Sequence, residues 1–323
     1  MQRYAVFIQA KSLWYGNERK QREPGNHWEA ISAEMWRGTV GNEGHRKHID
    51  NNFYGDMESS FPSLEVLCIY EAPCLEEWTT VNGREHFPLL SSLTIESCPK
   101  LVKLPMIQPL KQLYIRGTNV TLLTPLIMNA TVLTSLQISD FNELPNRLLK
   151  NQKQLDWLYV LCCSLKSLSD LLDNLSSLKY LDIDGRSIES LPAGLQNLSS
   201  LETLRLDQCH SLVSLPVNGL QGLSSLCSLK IGDCQTLASL SEGVGLISLP
   251  DEIQHLTLLS ELDIGNCSNL MTLPQGVRNL TALQTLTISG CPHPQRRCKK
   301  LRGEDLPNIA HLRWYWDFDV RSL

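Results

Sequence analysis

No apolar run in this 323-residue chain exceeds the seven residues Trp157–Cys163, far short of the roughly 18 needed to cross a bilayer. Excess charge of one sign is missing too. The 29 Lys+Arg stand against 34 Asp+Glu, a net −5 with neutral histidines, which argues against a nucleic-acid binder with its basic stripe. There are eleven cysteines but no C-x-x-C pair, so neither a zinc site nor a paired disulfide framework is indicated. No H-E-x-x-H or G-x-S-x-G pattern sits in a plausible context, and Cys298 with His293 or His311 lacks a third, orienting group. The run Tyr4–Ala10 is interrupted by Gln9 and closed by Lys11, a poor secretory signal. These absences point to a soluble, cytoplasmic, non-enzymatic protein with no cofactor and no metal.

What is present is repetition. Aligning on L-x-x-L-x-[LIV] gives Leu64, Leu90, Leu110, Leu133, Leu155, Leu178, Leu201, Leu226, Leu259 and Leu283, spaced by 26, 20, 23, 22, 23, 23, 25, 33 and 24 residues. In the copy Ser199–Leu223, Leu204 and Leu206 are two apart and share one face of a short strand. Leu201, Leu212, Leu215 and Leu220 supply further inward anchors, and Pro216 suits the irregular outer side. One unit alone cannot bury this much leucine, but stacked neighbours can. The expectation is an α/β leucine-rich-repeat solenoid of about 10–11 repeats, a curved horseshoe with a parallel β-sheet on its concave face.

Six cysteines (Cys98, Cys163, Cys209, Cys234, Cys267, Cys291) end the same L-x-x-L-x-apolar-x-x-C pattern. They read as reduced thiols filling a sharp turn and satisfying its backbone. Ala72, Thr118, Phe141 or Arg186 holds that slot in the other units, where looser turns are expected. The long unit carries its excess in SEGVGLISL, between Leu240 and Leu249, as a looped-out insertion. Residues 1–48 lack the repeat and scatter Trp14, Trp28 and Trp36 without period, which predicts an irregular, disordered segment. The repeat domain is expected over 49–316, closed by Ile309-x-x-Leu312-x-Trp314, with a tail at 317–323. The basic residues Arg296, Arg297, Lys299, Lys300 and Arg302 read as a solvated cap surface.

A family resemblance rests on particular segments. FPSLEVL (Phe61–Leu67), FPLLSSLTIESCPKL (Phe87–Leu101), the recurrent SLP, the lead-in from Ile49 to Phe53-Tyr54-Gly55 and the tail CPHPQRRCKKLRGEDLPNIAHL (Cys291–Leu312) resemble plant disease-resistance proteins. The class is that of coiled-coil nucleotide-binding leucine-rich-repeat receptors, and the likeness covers about 49–316. Leu306 stands where that family commonly has Trp. The resemblance implies recognition of a pathogen effector or guarded host protein, and contact with a nucleotide-binding switch domain. The switch's own G-x-x-x-x-G-K-[ST] loop is absent, since Gly38, Gly41 and Gly44 lead only to His45-Arg46-Lys47. No ATP/ADP site is therefore expected in this chain.

Residues flanking the inward leucines are expected to face solvent, free of packing duty. The central stretch offers Tyr114, Arg116, Gln137, Trp157, Tyr159, Leu161, Tyr180, Asp182, Asp184, Arg205 and Asp207. Aromatics beside charges are the composition of a protein-binding hot spot. Two other readings compete. An extracellular repeat receptor is suggested by six N-x-[ST] sequons at Asn119, Asn129, Asn174, Asn197, Asn266 and Asn279, three of which are the repeat's own junction. The substrate-recognition half of an F-box-type ubiquitin ligase would need a helical module for which 1–48 shows no apolar pattern.

Overall fold

The computed structural model describes residues 47–49, 64–79, 87–107, 109–161, 171–186, 188–189, 191, 194–212, 215, 220–237 and 253–296, and the backbone of 4–9, 29–30, 162, 193, 251–252, 297 and 313–315. The chain divides into two compact units, Met1–Phe141 and Asn142–Leu323.

The first unit contains β1 (Tyr4–Gln9), β2 (Glu29–Ala30), β3 (His48–Ile49), β4 (Leu64–Tyr70), β5 (Glu77–Trp78), β6 (Ser92–Glu96), β7 (Gln112–Arg116) and β8 (Ser135–Phe141). Strands β4, β6, β7 and β8 run parallel in chain order, with Leu67, Leu93, Leu113 and Leu136 in one row and Ile69, Ile95, Ile115 and Ile138 in the next. These rows are the predicted rungs, each residue 3% exposed or less. The segment expected to be irregular contributes more than foreseen. β1 pairs in parallel with β4, and β2 with β1. The lead-in Ile49 pairs with Trp78, whose ring meets Phe87 edge-on at 5.8 Å.

The second unit contains β9 (Trp157–Cys162), β10 (Tyr180–Asp184), β11 (Thr203–Asp207), β12 (Ser228–Gly232), β13 (Glu261–Gly265), β14 (Thr285–Ser289) and β15 (Arg313–Tyr315). All pair in parallel, each with the next, and Trp314 is paired with Leu286 as the closing unit requires. Leu158, Leu181, Leu204, Leu229, Leu262 and Leu286 form a rung at 1% exposure or less. On the returning side, short 3₁₀ turns such as Ala193–Asn197, Asp251–His255 and Gln275–Asn279 replace full helices. They advance the chain in few residues, which keeps the unit near 23–25. Each unit is a leucine-rich-repeat solenoid with a parallel sheet. The insertion at Leu240–Leu249, Cys163 and the basic residues from Lys299 onward lie outside the described residues.

The turn after each strand explains the cysteines. Glu71, Ser97, Asp140, Gln208, Asp233 and Asn266 adopt left-handed backbone at φ 49–64°, as do Gly117 and Gly290. The next residue then tucks inward. Cys98, Cys209, Cys234, Cys267 and Cys291 are fully buried and donate their thiols to the carbonyls of Glu96, Asp207, Gly232, Gly265 and Ser289 at 3.2–3.4 Å. They are free thiols. Burial pushes Cys98 up to about 11, so it stays protonated. Ala72, Thr118 and Phe141 follow the same left-handed bend, so the looser turns expected there are not seen, whereas Gly185 before the exposed Arg186 does not take that bend. Phe141, 4% exposed, fills the slot with no donor of its own, while the Ser139 carbonyl accepts the Gly117 backbone N–H.

Candidate partner-binding surface

Alternation along each strand puts the residues between the rungs on the opposite side of the sheet. In the first unit this side carries Tyr114 and Gln137, half-buried and register partners. Arg116 beside them is exposed and held by two carboxylates. Its Nε donates to Asp140 Oδ2 at 2.7 Å and its Nη1 lies 3.6 Å from Glu96 Oε1. Asp140 escaped the sequence reading because it lies one residue past the regular positions, where the left-handed turn swings it back toward Arg116.

In the second unit the pattern forms three rows. Tyr180 pairs with Trp157 on one side and Thr203 on the other, Asp182 with Tyr159 and Arg205, and Asp184 with Leu161 and Asp207. The Trp157 and Tyr180 rings stack 5.5 Å apart and 11° from parallel, an aromatic platform already desolvated on its inner faces. Arg205 is exposed. Its Nη2 contacts Asp207 Oδ2 at 2.6 Å, while its Nε is 3.9 Å from Asp182 Oδ2. Tyr180 donates its hydroxyl to that same oxygen at 3.5 Å. Asp207 also accepts from the Gln208 backbone N–H through Oδ1. That oxygen leans over Gly232, where a Cβ would meet it at 2.8 Å.

Two expectations are corrected here. Asp182 and Asp184 are not solvent-facing; they are 7% and 8% exposed. Trp157, Tyr159 and Leu161 are half-buried rather than open. Strands about 4.8 Å apart let bulky neighbours shade a short carboxylate from both sides. The consequence is electrostatic. Burial, reinforced by Asp207 and Asp184, lifts the Asp182 carboxyl to about 6 against the opposing pull of Arg205. Burial and then Asp207 also raise Asp184. The row continues with Lys230, ion-paired to Glu261 at 3.1 Å, and with Asp263, raised by burial.

A carboxyl raised from 3.8 to about 6 binds its proton more tightly folded than unfolded. Stability therefore rises as pH falls through that window, opposite to the usual carboxylate trend. We expect the wild-type chain to gain about 1 kcal/mol between about pH 7 and pH 4.5 relative to Asp182→Asn, after allowance for residual solvent screening. Urea unfolding of both at the two pH values checks this.

The family model for leucine-rich repeats of plant disease resistance protein RPS2-like sequences matches residues 186–292. That stretch is a leucine-rich-repeat domain. Similar solved structures include Toll in its complex with Spatzle from Drosophila (16% identity, TM-score 0.45, covering 80% of this chain and 39% of that one). A leucine-rich-repeat protein of Leptospira interrogans is 19% identical (TM-score 0.29, 81% of this chain and 94% of that one). The leucine-rich-repeat domain of the type III effector XopL is also 19% identical (TM-score 0.37, 68% and 74%). The chain thus spans about two fifths of the length of Toll. No curated protein matches the chain. Among the described residues, no helix is long and apolar enough to cross a membrane.

Proposed function

We propose that the chain is a non-catalytic protein-recognition domain of a cytoplasmic plant immune receptor, sensing a pathogen effector or a guarded host protein. A nucleotide-binding switch domain is its second partner in this reading. One observation carries it: a stacked Trp157–Tyr180 pair lies beside Asp182, Asp184, Arg205 and Asp207 on strands whose opposite faces are wholly committed to the core. The scaffold holds these side chains rigidly, and an aromatic–charged cluster is where binding energy concentrates. The plant assignment is supported by the match over 186–292 and by the segments that resemble resistance proteins.

Trp157→Ala is expected to weaken partner binding at least about ten-fold. Its thermal midpoint should stay within a few degrees of wild type, since the lost stacking amounts to only about 1 kcal/mol. Titration of candidate effectors or of a switch domain, beside a thermal melt, reads both. An unfolded variant would make Trp157 a core residue and end this assignment. Capture of ubiquitin-ligase scaffold proteins instead would favour the F-box reading.

A further inference from the structure

The oxygens Asp182 Oδ1 and Asp184 Oδ1 are buried and accept no hydrogen bond. Leaving a buried carboxylate oxygen unpaired is costly, and the residues around these two do not remedy it. From β9 they meet Tyr159 and Leu161, and from β11 Arg205 and Asp207. Asp182, Asp184 and Asp207 carry three negative charges against the two positive charges of Arg205 and Arg186, a local net of −1. Arg205 is pledged to Asp207 at 2.6 Å, and Arg186 donates to Gln208 Oε1. A bare metal ion has no seat here, because no three His, Cys, Asp or Glu groups among the described residues are placed to hold one.

We propose that Asp182 and Asp184 form a socket for one arginine or lysine side chain of the protein partner. The Trp157–Tyr180 stack in the adjoining row lies against the cation's stem and charge. This inference rests on the protein-recognition reading and specifies its partner: a segment that presents a basic residue to this sheet. The fit is geometric and electrostatic. Residues two apart on a strand stand about 6.6 Å apart, a span one guanidinium bridges with donors to both carboxylates. Aromatic rings nearby add cation–π attraction. The groups facing the carboxylates are Tyr159 and Leu161 on β9, Tyr180 on β10, and Arg205 and Asp207 on β11, with Arg186 and His210 acting on Asp184. With Asp182 raised to about 6, acidification below that value neutralises the socket and releases the cation.

The test uses the full chain and a fluorescent oligo-arginine peptide, with oligo-glutamine as the neutral control, read by anisotropy. The double variant Asp182→Asn/Asp184→Asn is expected to weaken oligo-arginine binding at least about ten-fold and to raise the thermal midpoint, because two buried charges, each with one unpaired oxygen, are gone. Glu143→Gln/Glu189→Gln, which removes the same charge from two exposed sites, should weaken it less than about three-fold. Equal losses in the two double variants, no binding by the wild type, or a lowered midpoint in the first variant would each overturn the socket. If a protein partner still binds through Trp157 while the Asp182/Asp184 variant holds oligo-arginine as tightly as the wild type, recognition stands and only the socket falls.

Discussion

Leu229→Ala removes about 3–5 kcal/mol of unfolding free energy and lowers the urea midpoint of the second unit accordingly. Leu229 is wholly buried, flanked in the rung by Leu204 on β11 and Leu262 on β13. A repeat contacts only its neighbours, so a void in one rung loosens both adjoining interfaces, and no distant core compensates. The loss should appear in hydrogen exchange first at the amides of β11, β12 and β13. Leu229→Met, which conserves volume, should cost under about 1.5 kcal/mol. A loss as small for alanine would mean that the rungs are not the cohesive element of the stack.

Gly222→Ala is expected to lower the thermal midpoint by about 5–10 °C, through a destabilisation of about 2–4 kcal/mol. A Cβ at Gly222 would sit 1.7 Å from the carbonyl oxygen of Gln196 and 2.6 Å from its carbonyl carbon. The obstacle is backbone, so no rotamer relieves it and the returning segments must part. Repeat alignment alone suggests the reverse, because Asn174, Asn197 and Asn279 fill the matching position elsewhere. At Asn279 the side chain has room and donates to Gln254 Oε1 at 2.8 Å. Substituting Gly222 by that more frequent asparagine should therefore destabilise more than alanine does. A neutral or raised midpoint for either variant would refute the close approach.

The rungs were legible from spacing because a strand's period of two and a unit near 23 residues leave one way to stack the leucines. The cysteine slot was legible for a similar reason, although its tolerance of Phe141 was not. That tolerance follows from the left-handed residue before it, and Glu71, Ser97 and Gln208 carry no glycine signal to betray such a turn. Strand β1 was missed because Tyr4–Gln9 lacks the leucine period that marked its neighbours. On the candidate surface, the residues that share a face were readable from alternation, whereas their exposure was not.

The primary structure by itself determined the repeat, the inward leucines and the order in which strands lie side by side, since these depend on chain-local periods. Only the folded arrangement decided that Asp182 and Asp184 are shaded, that Trp157 stacks on Tyr180 and that Gly222 touches Gln196. Each is a sideways contact between residues about one repeat apart. Such contacts turn on distances of a few ångströms that side-chain bulk and backbone approach set after stacking.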